Sequence, residues 1–291
     1  MNDNNKINIP IQTTKSAIPK NDEYINTSDG LIYCKKCNTP RQKRVSALGK
    51  TYMPDIMCQC QREAYEKEEA KRIRREFLND IAVKRSAGLH DRALYECTFD
   101  KDMGYNSQQS EKAREYALHF SEMLEKGIGL LLWGGIGTGK TFLAGCIANT
   151  LLDKCIPVMM TTFGWILNTL TGMFQEDRNS YIDSLNQYSL LIIDDLGMER
   201  STEFALEQVF NVIDTRYRSK KPLIVTTNLT LDELKNPCDL TRSRIYDRIL
   251  EVCVPLKISS QNIRTINCEA NFKEARNILS HPKNDTNVTQ D

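Results

Sequence analysis

The segment GGIGTGKT, residues 134–141, sets Gly134, Gly135, Gly137 and Gly139 around Thr138 and ends in Lys140 and Thr141. A glycine, four residues, then Gly-Lys-Thr, with an apolar run before and helix formers after, is the pattern of a phosphate-binding loop. The glycines let backbone N–H groups close around phosphate oxygens without Cβ obstruction. The following helix N-terminus adds partial positive charge. Lys140 brings an ammonium to the β and γ phosphates of ATP, and Thr141 offers a hydroxyl to Mg²⁺. A second apolar run, LLIIDDLG, ends in Asp194 and Asp195. There Asp194 is expected to hold Mg²⁺ and Asp195 to orient or deprotonate the attacking water. Two adjacent carboxylates at the end of a buried strand are costly unless a cation or water reaches them. A third run, PLIVTTN, ends in Asn228, a candidate for placing that water near the γ-phosphate; the other reading of Asn228 is a turn residue before the helix of TLDEL.

Cys34-x-x-Cys37 and Cys58-x-Cys60 form a second constellation. Two close thiol pairs suit tetrahedral Zn²⁺, and four sulfur ligands leave no open position, so such a zinc is structural. Redox pairs and incidental cysteines are the competing readings. The other six cysteines (97, 146, 155, 238, 253 and 268) mostly sit in apolar surroundings and read as small buried hydrophobes.

These residues need elements to carry them. The chain has 291 residues, 40% of them hydrophobic, and a formal net charge of +1. That leaves room for one large domain and a smaller one, and it rules out a grossly basic protein. No run is apolar for long enough to span a bilayer, and the first residues lack a secretory apolar core. A cytoplasmic protein without a membrane partner is expected. Residues 1–28 are polar and expected to be mobile; 29–60 form the four-cysteine zinc-binding unit; 61–87, dense in helix formers, form a connecting helix. The main domain spans 88–267, and 268–291 form a polar C-terminal tail. One helix is expected over 108–126. Apolar runs at 128–133, 156–161, 188–195, 222–228 and 251–256 alternate with helical patterns, which implies a parallel sheet covered on both faces.

GGIGTGKT, LLIIDDLGMER, IVTTNL and SRIYDRI, in this order, resemble the AAA+ ATPases of the bacterial and phage replicative helicase loaders (DnaC/DnaI-like), a group related to the IstB-like helpers of transposases. The resemblance, over roughly 88–267, implies an α/β fold, a P-loop AAA+ domain with a central parallel five-stranded sheet; the small N-terminal zinc-binding domain and its connecting helix, read from the cysteines and the helix formers, complete the expected architecture. It implies that Asn228 is the sensor and that Arg248 is an arginine finger acting on ATP held by a neighbouring subunit. Arg244, one helical turn earlier, rivals Arg248 for that role, and Arg264 would contact phosphate in its own subunit; the other reading of Arg248 and Arg264 is pairing with surface carboxylates. A trans-acting finger requires self-association with ATP at subunit interfaces. Glu199 is either a further candidate to assist hydrolysis or a solvent-facing residue at a helix start, and the shorter Asp195, where Glu is common, suits slow, switch-like turnover. The resemblance also implies two partners, a replicative hexameric helicase bound through residues 1–85 and single-stranded DNA. Phe163, Trp165 and Lys154 are either contacts to that DNA or core residues. The basic stretch RQKR (41–44), with Tyr33 and Tyr52 nearby, is a nucleic-acid patch, a solvated loop or the helicase-binding surface. The alternative function is an IstB-like transposition accessory ATPase binding duplex DNA. No long helix is expected after the last strand.

Overall fold

A computed structural model describes residues 19–47, 49–197 and 202–280. The chain divides into two compact units, Met1–Leu78 and Asn79–Asp291. In the first, β1 (Glu23–Ile25) and β2 (Ile32–Cys34) form an antiparallel hairpin, and β3 (Val45–Ala47) pairs with β4 (Lys50–Tyr52). Strand β1 thus falls inside the stretch 1–28 expected to be mobile: Asp22 and Glu23 both pair with Arg41 at 2.7 Å, and the Tyr24 and Tyr33 rings lie 5.9 Å apart. Polar composition hid this strand because ion pairs, not apolar burial, hold it. The rest of the expected mobile segment, 1–18, lies outside the described residues.

The dividing point falls within α1 (Gln59–Gly88), expected as a helix over 61–87. Most of this helix is exposed, and its surface carries i,i+3 and i,i+4 pairs such as Arg72 with Glu69 and Glu76. Ile81 and Gly88 are its buried positions.

The second unit continues through α2 (Ser107–Leu118) and α3 (Phe120–Lys126). The single helix expected here is interrupted at His119, whose ψ of 22° breaks the ladder. Next come β5 (Gly129–Trp133), α4 (Lys140–Leu152), β6 (Val158–Thr162), α5 (Phe163–Thr171), α6 (Gln175–Ser184), β7 (Leu190–Leu196) and α7 (Glu203–Arg218). After these follow β8 (Leu223–Thr227), α8 (Leu231–Lys235), α9 (Leu240–Val252), β9 (Cys253–Lys257) and α10 (Ile263–Ser280). Caps set several helix starts: Thr162, Thr202 and Asp239 each accept the N–H three residues on, and Thr230 with Glu233 makes a capping box.

The sheet runs β6-β7-β8-β5-β9, all parallel. Its inner strands are mostly buried on both faces because helices cover both, whereas the edge strand β9 exposes Val254, Pro255 and Lys257. Leu130, Leu132, Leu190, Ile192 and Ile224 pack with α2, α3 and α4 on one side. The alternate residues Leu131, Leu191, Ile193, Leu223 and Val225 pack with α5, α7 and α9 on the other. Beneath the sheet's lower edge Arg216 is 1% exposed, and its guanidinium donates to the carbonyls of Tyr188, Ser189 and Pro222. Burial lowers its pKa to about 10.

Two expectations are corrected. The tail expected from residue 268 is helical through Ser280, and α10 is itself a long helix after the last strand. Its apolar Phe272, Ile278 and Leu279 are all exposed, so no buried stripe announced it. Residues 281–291 lie outside the described residues. Of the scattered cysteines, Cys146 and Cys253 are buried, Cys97 and Cys155 are half-buried, and Cys238 and Cys268 are exposed. No helix among the described residues is long and apolar enough to cross a membrane.

Candidate functional site

In this sheet β8 lies between the strand that feeds the glycine loop and the strand that ends in two aspartates. The carboxyl ends of β5, β7 and β8 therefore converge, which is where open parallel sheets bind ligands. A cavity of about 550 Å³ opens there, lined by Gly137 to Phe142, Asp195, Asn228, Ile263 and Arg264 among others.

The loop is shaped by backbone that a side chain would spoil. Gly134 has φ of 149°, and a Cβ there would meet the Ile258 carbonyl at 2.0 Å; Gly137, at φ of 74°, would strike Asn262. The Thr138 carbonyl accepts from Asn106 Nδ2 at 2.7 Å and Ser260 Oγ at 2.9 Å, so segments from both ends of the unit brace the loop. Lys140 opens α4 and is 5% exposed. Its Nζ donates to the carbonyls of Gly134 and Gly135 and, at 2.7 Å, to Asn228 Oδ1. Burial lowers its pKa, against the pull of Asp195 and Asp194. Thr141 Oγ1 donates to Asp194 Oδ1 at 3.0 Å. A hydroxyl and a carboxylate so close together are hard oxygen donors, the set that Mg²⁺ prefers.

Asp194 is buried, and burial pushes its carboxyl above the usual range, aided by Asp195 and opposed by Thr226 and Thr141. A pKa raised by folding contributes stability while the group is protonated, below its unfolded value, and loses it as pH rises through the folded value. At pH 7 the bare carboxylate therefore weighs against the fold. Asp194→Asn is expected to raise the melting temperature of nucleotide-free protein by about 2–4 °C. The gain should fade as pH falls toward about 4. Thermal melts across pH check this, and a variant less stable than wild type at pH 7 contradicts it.

The other expected residues fall in different places. Arg264 lines the cavity, whereas Arg248 does not. Arg248 pairs with Asp214 at 2.8 Å and lies over the rings of Phe210 and Tyr217. Arg244 is exposed and makes no ion pair among the described residues. Glu199 lies outside the described residues. Phe163 is core at 2% exposure, while Trp165 is exposed and stacks on His90 at 4.9 Å. Lys154 donates to the Ala117 carbonyl. Thr226, Asn106 and Ser260 escaped sequence reasoning. Only Thr226 carried a signal, a polar pair (TT) ending an apolar buried strand.

In the first unit the sulfurs of Cys34, Cys37, Cys58 and Cys60 all lie within 4.8 Å of one another. Asn38, at φ of 53°, turns the knuckle and donates to the Cys34 carbonyl. The second pair sits where α1 begins. Thr39 Oγ1 accepts from Gln59 N–H at 2.8 Å, leaving its proton for Cys37 Sγ at 3.0 Å. That bond holds the Cys37 thiol well below its usual pKa, while Cys58 pushes Cys60 up. Such crowding lets some thiols ionise only at the expense of others, and a divalent cation removes the conflict. Of the basic stretch, Arg41 is engaged with Asp22, Glu23 and, at 3.6 Å, Cys34 Sγ, and Gln42 is buried against Ile32 N–H.

The sequence matches the IstB-like ATP binding protein family over residues 62–269, well over half of the chain. It is 27% identical over 150 residues to the replicative helicase loader DnaI of Bacillus subtilis, covering 48% of each. It is 29% identical over 141 residues to the replicative helicase loader DnaC of Escherichia coli, covering 47% of this chain and 55% of that one. The chain thus spans about half the length of these relatives. A crystal structure of DnaI superposes with a TM-score of 0.48 at 23% identity, covering 59% of this chain and 93% of that one. With the loop, the paired aspartates and the intervening strand all in one unit, the chain belongs to the family of IstB-like ATP binding proteins.

Proposed function

We propose that this protein is an ATP-hydrolysing loader that places a replicative hexameric helicase on single-stranded DNA. The observation that carries the enzymatic part is Lys140 bonded to Asn228, with Asp195 lining the same cavity. That arrangement gathers an ammonium for phosphate, a carboxylate and an amide for water around one space. Gly135, Gly137, Thr138 and Gly139 present backbone N–H groups to the phosphates, Gly134 turns the chain with its own N–H on the Thr227 carbonyl, and Arg264 adds a guanidinium from α10. Mg²⁺, held by Thr141 and Asp194, would spread the charge that builds on the transferred phosphoryl. Asp195 takes the proton of the attacking water, and Asn228 holds that water in line. The described cations that line the cavity are Lys140, Arg264 and Lys101, the last of them paired with Glu96, and in this reading α9 supplies a further guanidinium to the ATP of a neighbouring copy. Arg248 does this once Asp214 releases it, with the exposed Arg244 beside it. Turnover gated by such a release is slow and switch-like.

The loading part is supported by the two relatives named as replicative helicase loaders. In this reading the protein is cytoplasmic. Cys34, Cys37, Cys58 and Cys60 hold one Zn²⁺, residues 1–85 bind the helicase, and 88–267 work as the ATPase. Affinity capture on the full chain with ATP or ADP, followed by mass spectrometry, tests it. A hexameric helicase recovered in a nucleotide-dependent manner is the expected result. A transposase without any such helicase overturns the loader in favour of a transposition accessory ATPase.

A further inference from the structure

The pairing of β7 with β8 contains an irregularity where the chemistry sits. Leu191, Ile192 and Ile193 face Leu223, Ile224 and Val225 in turn, and pairing resumes with Leu196 opposite Thr227. Three steps on β7 thus face two on β8, so Asp194 and Asp195 share one opposing residue, Thr226. Such a bulge leaves backbone groups without ladder partners and re-aims a side chain. Asp195 takes φ of 59°, in the left-handed region, and lines the cavity.

Thr226 is completely buried, and its hydroxyl closes the bulge. The oxygen accepts the Asp195 N–H at 2.9 Å, and the single proton goes to Asp194 Oδ1 at 2.5 Å. The same Asp194 oxygen accepts from Thr141 Oγ1. Thr227, also fully buried, donates to the Leu196 carbonyl just beyond the bulge. At a position this buried a valine would fill the same volume, following Leu-Ile-Val along β8. A threonine is needed only where its hydroxyl is used.

We propose that Thr226 is a positioning residue for ATP hydrolysis, its one hydroxyl holding Asp194 in place for the metal and Asp195 in place for water. This rests on the ATPase reading above. Thr226→Val keeps shape and removes the bond; Thr226→Ser keeps the bond and removes the methyl. In the full chain, Thr226→Val is expected to bind ATP without Mg²⁺ within about threefold of wild type. It should lose the gain in ATP affinity that Mg²⁺ gives wild type, and kcat should fall about 100-fold with KM changing far less. Thr226→Ser should restore both. A Val variant that keeps the Mg²⁺-dependent gain and kcat overturns the proposal. So does a Ser variant as impaired as Val, or a loss of Mg²⁺-free binding equal to the other losses, since either marks a packing role. Wild-type turnover no higher than that of Lys140→Ala instead defeats the ATPase reading, and the Mg²⁺ dependence of binding still decides for or against Thr226.

Discussion

Lys140→Ala lowers ATP affinity by about 100-fold or more while leaving the fold intact. The size follows from what the ammonium does. In the free protein its protons go to two loop carbonyls and to Asn228, all within one buried pocket. Phosphate oxygens are stronger acceptors than carbonyls, and once ATP fills the cavity little solvent is left to screen the new contacts of Lys140, whose pKa burial already lowers. Truncation removes two charge-assisted bonds at once. It costs the fold little, because the cavity beside the side chain admits water to the orphaned carbonyls and to Asn228. Titration with a fluorescent ATP analogue, alongside a thermal melt, measures both halves. Unchanged affinity would show that phosphate binds elsewhere.

The large features of this site are written in local sequence, and the small ones are not. Apart from the edge strand β9, each strand of the parallel sheet grows from an apolar run bounded by helix signals, and both faces being covered explains why no alternation shows. The glycine loop is readable because backbone approach to phosphate demands glycine at fixed spacing. Arg248 shows where such reading stops. Its partner Asp214 lies on α7, a separate element, and nothing in the spacing of YDRI foretells the pairing. The bulge is hidden for a related reason. Whether Asp194 and Asp195 share one partner depends on register with β8, and register is a tertiary fact. The helix α10 stayed invisible because helical periodicity is detected through burial, and this helix buries little.

Purified protein is expected to carry about one zinc per chain, and Cys34→Ser to lose it together with the fold of the first unit. The magnitude is expected to be large because little else holds that unit. Its buried residues among those described are Ile32, Cys34, Gln42, Cys58 and no others. Two of these four are the thiols themselves, so the unit has almost no apolar core to fall back on. Metal binding at sites of this kind contributes about 10–16 kcal/mol at neutral pH, well beyond what two short hairpins and surface ion pairs supply. Because the ligands bind as thiolates, zinc loss should accompany acidification. The second unit has its own core on both faces of its sheet, so ATP binding should outlast chelation. Metal analysis, limited proteolysis and nucleotide titration on the same chelated sample separate these outcomes. Protein that is metal-free yet protease-resistant before Lys71 would mean that the four sulfurs gather for some reason other than zinc.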